Sequence, residues 1–250
     1  VLLGLWVLAA LADRPADARW LTETERAWLR AEFEREAASG PPPGRHGFSL
    51  KMLGDSRVLT LAAVFFLTGV PSYGLSLWLP QIVKSFGVSH IATGFLSAVP
   101  FLFGAIAMVY WGRHSDARQE RVWHASVSAI LAGSGLLAGA LLDNGPLQLV
   151  AICAAAAGIY GLKGPFLTIV SSAFPDRRAA AGIALVTTLG NLSGFVAPYM
   201  VGVIIQATDS YRLGLGALAL QAMIGALVLR LWGARMKRTS GQAAACAQAP

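Results

Sequence analysis

The stretch VLTLAAVFFLTGVPSYGLSLWLPQIV, Val58 to Val83, decides the fold. It holds no charged residue, and its apolar positions follow neither the alternation of a strand nor the one-sided stripe of a surface helix. At 1.5 Å per residue a helix of this length crosses the roughly 30 Å of a bilayer's hydrocarbon. Five further blocks read the same way: about Ile91 to Trp111, Val122 to Leu142, Leu147 to Ser171, Ala179 to Thr208 and Leu213 to Leu229. Within all six the charged residue is Lys163. A soluble six-helix protein needs polar outer faces, which these blocks lack.

The composition agrees. Of 250 residues 55% are apolar and 13% charged, and the mean hydropathy is +0.58. These values exclude a disordered tail or a polar binding module, and two cysteines exclude a disulfide scaffold. The net charge of +7 would suit a nucleic-acid partner if the basic residues formed one surface. They do not. Of the 20 Lys and Arg, all but Lys84, Arg212 and Lys163 lie in the tails or in alternate loops, on one side of a six-span bundle. The positive-inside rule makes that side cytoplasmic, so the charge reports topology and no nucleic-acid partner is expected.

Around the bundle three segments have a different character. Residues 1–12, VLLGLWVLAALA, are too short to span and read as the end of a truncated transmembrane helix. Residues 13–57 form a cytoplasmic loop in which Thr22 and Glu25 make a capping box for an interfacial helix running to Ala38. The six spans occupy 58–233, and the small and polar residues of 234–250 read as a disordered cytoplasmic tail. Pro71, Pro80, Pro100 and Pro198 remove backbone donors inside spans. Gly158, Gly161, Gly164 and Pro165 predict a local irregularity in the fourth. Gly135 with Gly139, and Gly190 with Gly194, present small faces for close helix contact.

Polar residues inside the spans are few. Lys163 is costly at that depth and should face a cavity or a partner, with Tyr160 one turn earlier on the same face. Asn191, Gln221, Tyr73 and Trp78 join it as candidates to line an aqueous pocket. A cation, amides and phenols together suit a carboxylate with an aromatic or hydroxylated body. Snorkelling of Lys163 to the cytoplasmic end is the structural alternative. No zinc spacing, phosphate loop or nucleophile elbow occurs, so neither an enzyme nor a cofactor is expected. His46, His90, His114 and His124 are scattered, and no shared metal is expected.

The stretch YGLSLWLPQIVKSFGVSHIATGFLSAVPFLFGAIAMVYWGRHSDARQER, Tyr73 to Arg121, resembles the seventh and eighth helices and following loop of the major facilitator superfamily. More narrowly it is similar to the anion:cation symporter branch, whose members carry tartrate, glucarate, phthalate or hydroxyphenylacetate. YGLKGPFLTIVSSAF, Tyr160 to Phe174, and RAAAGIALVTTLGNLSGFVAPYMVGVI, Arg178 to Ile204, resemble that branch's tenth and eleventh helices. ADRPADARWLTETERAWL, Ala12 to Leu29, resembles its central loop. The resemblance implies an all-α polytopic membrane protein: the C-terminal six-helix half of a twelve-helix transporter, whose N-terminal half is missing.

It also implies alternating access, with a small organic anion moving alongside a proton or another cation across a bacterial inner membrane. The family's loop signature maps onto Gly112, Asp116 and Arg121, while Ala117, Gln119 and Glu120 depart from it. In this degenerate copy Asp116, paired with Arg113 or Arg178, is the expected cytoplasmic latch. The spans hold no carboxylate, so coupling would fall to the missing half or to a weaker titrating group here. A membrane scaffold or assembly protein, and a seven-helix photoreceptor with Lys163 as its Schiff base, are the competing classes.

Overall fold

A computed structural model describes residues 4, 6, 7, 12, 17, 18, 20–39, 50–174 and 176–247. The chain divides into two units, Val1–Gly47 and Phe48–Pro250. In the first, helix α1 (Glu23–Ser39) starts on the capping box expected from sequence. The Thr22 amide donates to Glu25 Oε2 at 2.9 Å, and the Glu25 amide donates back to Thr22 Oγ1 at 3.3 Å. The stub at 1–12 lies largely outside the described residues, as do 40–49.

Among the described residues of the second unit, a 3₁₀ turn (Leu50–Gly54) leads into eight helices that make six membrane-capable stretches. They are α2 (Ser56–Lys84), α3 (His90–Arg118), α4 (Arg121–Leu141), α5 (Gly145–Gly161) with α6 (Lys163–Ser172), α7 (Asp176–Asn191) with α8 (Ser193–Thr208), and α9 (Tyr211–Ala247). No strand occurs among the described residues. Side-chain caps start four of the helices: Asp55 Oδ1 accepts from Arg57, Ser89 Oγ from Ala92, Asn144 Oδ1 from Leu147, and Ser210 Oγ from Leu213. Gln119 and Asp209 end α3 and α8 in the left-handed region, at φ 54° and 51°. α9 continues through Gly233 to Ala247, so the backbone is helical where the sequence reading expects an unstructured tail.

Two spans are interrupted, and the causes differ. The fourth span divides at Leu162, which itself stays right-handed helical and keeps its bonds to Gly158 and from Phe166; the bond lost beside it is to the Gly161 carbonyl, because Pro165 has no N–H to offer. This is the irregularity the glycine and proline cluster predicts. In the fifth span the lapse falls at Leu192, six residues before Pro198, within the poor helix formers Gly190, Asn191, Ser193 and Gly194. Pro71, Pro80 and Pro100 sit inside unbroken helices.

The core lies where α2, α4, α5 and α9 meet, around Leu75, Leu79, Leu136, Ile152, Leu215 and Leu218, all fully buried. Lipid tails are as apolar as leucine, so helices in a bilayer associate through close packing rather than hydrophobic burial. Small residues supply it. A β-carbon on Gly135 would lie 2.6 Å from the Ala155 amide nitrogen and 2.8 Å from the Ala151 carbonyl. One on Gly158 would strike the Ala132 nitrogen and the Ser128 carbonyl. A second cluster, with Leu61, Val64, Phe166, Val186 and Leu229, packs the end where the chain enters α2. α3 is the least covered span and exposes Phe95, Leu102, Ile106 and Val109, as a helix solvated by apolar groups does.

Candidate functional site

Thr68, Ser72 and Ser76 recur every four residues along α2 and so form one polar stripe on an apolar helix. Gly69 and Tyr73 border it. The stripe lines a cavity of about 280 Å³ whose other walls are Ile159, Tyr160, Leu162 and Lys163 of the fourth span and Asn191 and Ser193 of the fifth. Both helix interruptions, at Leu162 and Leu192, therefore lie at this cavity. Irregular backbone at membrane depth is tolerated where it lines such a space.

Lys163 begins α6, and the nine residues to Ser172 put it about 14 Å from that helix's end. Its Nζ lies 4.6 Å from the centre of the Tyr160 ring. Tyr160 is held in turn, edge-on to Phe101 at 6.0 Å, in space that Gly104 leaves open. No carboxylate among the described residues lies within ion-pair distance of the ammonium. A half-buried cation stacked on a phenol ring and short of a counter-ion is poised to take an anion.

Across the cavity, Tyr73 Oη donates to Asn191 Oδ1 at 3.1 Å, and the Tyr73 ring packs 3.4 Å from where a side chain on Gly194 would begin. Thr68 Oγ1 and Ser76 Oγ spend their protons on the Val64 and Ser72 carbonyls, leaving oxygen lone pairs toward the space. Ser193 Oγ is different: the residue is 1% exposed and its hydroxyl has no partner. It is an unused hydrogen-bonding group at the cavity wall.

Four of the six residues expected from sequence, Lys163, Tyr160, Tyr73 and Asn191, thus share one cavity. Trp78 and Gln221 do not line it. Trp78 lies five residues beyond Tyr73, about 140° around the helix, and packs against Tyr211 with its indole N–H unpartnered. Gln221 belongs to α9, whose neighbours Leu218, Ala219 and Ala222 join the core, and its buried Oε1 has no partner. The hydroxyls of α2 and Ser193 are additions; the four-residue spacing of Thr68, Ser72 and Ser76 is the sequence signal that marks them.

The turn after α3 brings Asp116 to Arg121. Asp116 Oδ1 faces Arg121 Nη2 at 4.0 Å, because the left-handed Gln119 turns the chain back over the end of α3. Arg113 is exposed, and the Arg178 side chain lies outside the described residues. Arg121 also donates to Ser172 Oγ at 3.5 Å, tying this turn to the end of α6. Gly112 lies alongside α6 too: its Cα is 3.8 Å from where a side chain on Gly164 would begin. At the opposite end of the bundle Arg212 pairs with Asp143 at the rim of a vestibule of about 810 Å³. Two of the scattered histidines also meet, His114 with His124, although no group of three metal-ligating side chains forms among the described residues.

The family model of the Major Facilitator Superfamily matches residues 1–198. A putative tartrate transporter of Agrobacterium vitis is 41% identical over 228 residues, covering 91% of this chain and 50% of the relative. A quinolone resistance transporter of Acinetobacter baumannii is 32% identical, covering 97% and 56%. A solved peptide transporter, in complex with alafosfalin, superposes with a TM-score of 0.58 at 21% identity, over 79% of this chain and 41% of that one. The chain spans about half the length of the relatives it matches. The likeness in structure extends the match from sequence to fold: a six-helix half.

Proposed function

Since the chain belongs to the Major Facilitator Superfamily, we propose that it forms one half of a secondary transporter carrying a hydroxylated organic anion with a proton or another cation. The observation that carries this reading is Lys163: an ammonium deep in a span, on a cavity wall, with hydroxyls and an amide opposite. Lys163 takes one carboxylate. Ser193, Asn191 and the hydroxyl stripe of α2 meet the hydroxyl groups of the substrate. A dicarboxylate needs a second cation, and the facing half of the transporter supplies it. The tartrate transporters among the relatives support this substrate class.

The mechanism is rocking of two halves about a central site. The interruptions at Leu162 and Leu192 flank the cavity assigned to the substrate in this reading. Because the apolar blocks of this half hold no Asp or Glu, the facing half provides the coupling carboxylate if the cation is a proton. The distribution of Lys and Arg supports an inner-membrane orientation with the Gln119 turn and residues 13–57 in the cytoplasm.

The test compares tartrate with threitol, its uncharged analogue, in proteoliposomes holding the chain together with a complementary six-helix half. Saturable tartrate uptake that threitol does not inhibit is expected. Equal inhibition by both compounds would remove the anion assignment.

A further inference from the structure

His114, one turn before the end of α3, and His124, in the first turn of α4, meet across the Gln119 reversal. His114 Nδ1 lies 2.7 Å from His124 Nε2. His124 Nδ1 lies 2.7 Å from the Glu120 carbonyl oxygen. A carbonyl only accepts, so His124 Nδ1 carries a proton and, in the neutral ring, Nε2 is bare. His114 Nδ1 must then donate to it. Both tautomers follow from the geometry, and one ring nitrogen stays free to accept: His114 Nε2.

The surroundings are aromatic. Trp111 stacks on His114 with centroids 5.9 Å apart, and Tyr110 does so at 6.4 Å. Trp123 meets His124 edge-on at 4.9 Å. The Trp111 indole N–H donates to the His124 carbonyl at 3.0 Å, which fixes that ring in place. His124 is fully buried and His114 partly exposed, so protons reach the pair through His114.

We propose that His114 and His124 form a one-proton binding site that clamps α3 to α4 at the Gln119 end of the bundle. A proton taken from water adds to His114 Nε2. The bond between the rings then becomes charge-assisted and tightens, and the faces of Trp111 and Tyr110 stabilise the cation. A second proton would place N–H against N–H across 2.7 Å, so the pair takes one charge and resists another. The ionisable groups on the elements packed here are of both signs. They include Arg113, Asp116 and Arg118 of α3, Glu120 just before α4, Arg121 of α4, Lys163 of α6, Tyr160 and Cys153 of α5, and Arg230 and Arg235 of α9. Cations outnumber carboxylates among them, which opposes a second positive charge. This site requires neither substrate nor a facing half, and it stands or falls apart from the transport reading.

The experiment is solid-state nitrogen NMR of the chain, labelled with 15N-histidine, in lipid bilayers between about pH 8 and pH 5, where imidazoles commonly change charge. A correlation between His114 Nδ1 and His124 Nε2 across the hydrogen bond is expected throughout. One proton should enter per pair, appearing on His114 Nε2. Fluorescence from Trp111 and Trp123 should fall as the pair charges. His114→Gln should abolish the correlation and that fluorescence change, whereas His90→Gln should leave both as they are. Should His114→Gln fail to fold, the proton count in the unaltered chain decides. Two protons entering independently, no proton entering, or no correlation between the rings overturns the proposal.

Discussion

Tyr73 of the first span and Asn191 of the fifth are joined by a hydrogen bond of 3.1 Å at the polar cavity. The two residues are 118 positions apart in the chain. Their meeting depends on Gly69 and Gly194: a β-carbon on Gly69 would strike Ser193 Oγ, and Gly194 leaves room for the Tyr73 ring. Glycine here buys proximity between helices, and proximity makes the site.

A neutral hydrogen bond of this kind is worth about 1 kcal/mol, or about fivefold in affinity. On the proposed anion site, with the complementary half present, Tyr73→Phe and Asn191→Ala should each weaken binding of tartrate by about that factor. The double variant should lose less than the sum, because both singles break the same bond. Calorimetric titration of all four proteins measures the coupling; additive losses would mean that the two residues act separately.

In the complete transporter of the proposed reading, Lys163→Met should keep the protein in the membrane and weaken anion binding by about 2 kcal/mol, roughly 30-fold, through loss of a charged hydrogen bond. Lys163→Arg should recover part of the loss, since the charge returns on a different geometry. Unchanged affinity in the Met variant would reassign Lys163 to anchoring the helix.

Gly158→Ala places a methyl against the Ala132 nitrogen and Ser128 carbonyl, which are backbone and cannot swing aside. Overpacking of this kind costs about 1–3 kcal/mol, so thermal unfolding in detergent should come several degrees earlier. Gly216→Ala meets nothing within 4 Å and should be tolerated. Equal behaviour of the two would show that α4 and α5 are less tightly packed than this geometry requires.

Reporters fused after Arg121 and inserted at Asp143 should read opposite sides of the membrane, because α4 crosses it between them. The Arg121 fusion should be cytoplasmic, following the basic loops. The same side for both would dismantle the six-span arrangement.

The backbone and side chain of Thr22, in that order of effect, hold the Glu25 carboxyl below its ordinary value. A carboxylate with a lowered folded-state value stabilises the folded form above its unfolded pKa and loses that contribution as pH falls through the folded value. The first turn of α1 should therefore fray on acidification into and below the ordinary glutamate range, seen as faster amide exchange at Thr22 and Glu25 after correction for intrinsic rates. Glu25→Gln should remove the pH dependence. Fraying that persists unchanged in that variant would place its cause elsewhere.

Lys163 announces itself in the sequence because one cation in a long apolar block is conspicuous, and Tyr160 follows from helical spacing. Trp78 and Gln221 look equally polar in the letters. Their placement turns on rotation about the helix axis, where one residue is about 100°, and on which helix packs against which. The histidine pair shows the same gap from the other side: ten positions separate His114 and His124, and the reversal at Gln119 brings them to 2.7 Å.

What the sequence determined alone is the set of spans, the capping of α1 and the gathering of the basic residues in alternate loops. Each is a local matter: a chain in lipid must satisfy its backbone hydrogen bonds within each segment, so every long apolar run becomes its own helix. Only the tertiary structure decided which polar groups share the cavity, how Asp116 pairs and that two histidines touch. Those depend on helix rotation, on glycines that let backbones approach and on turns that reverse the chain, none of which hydropathy encodes.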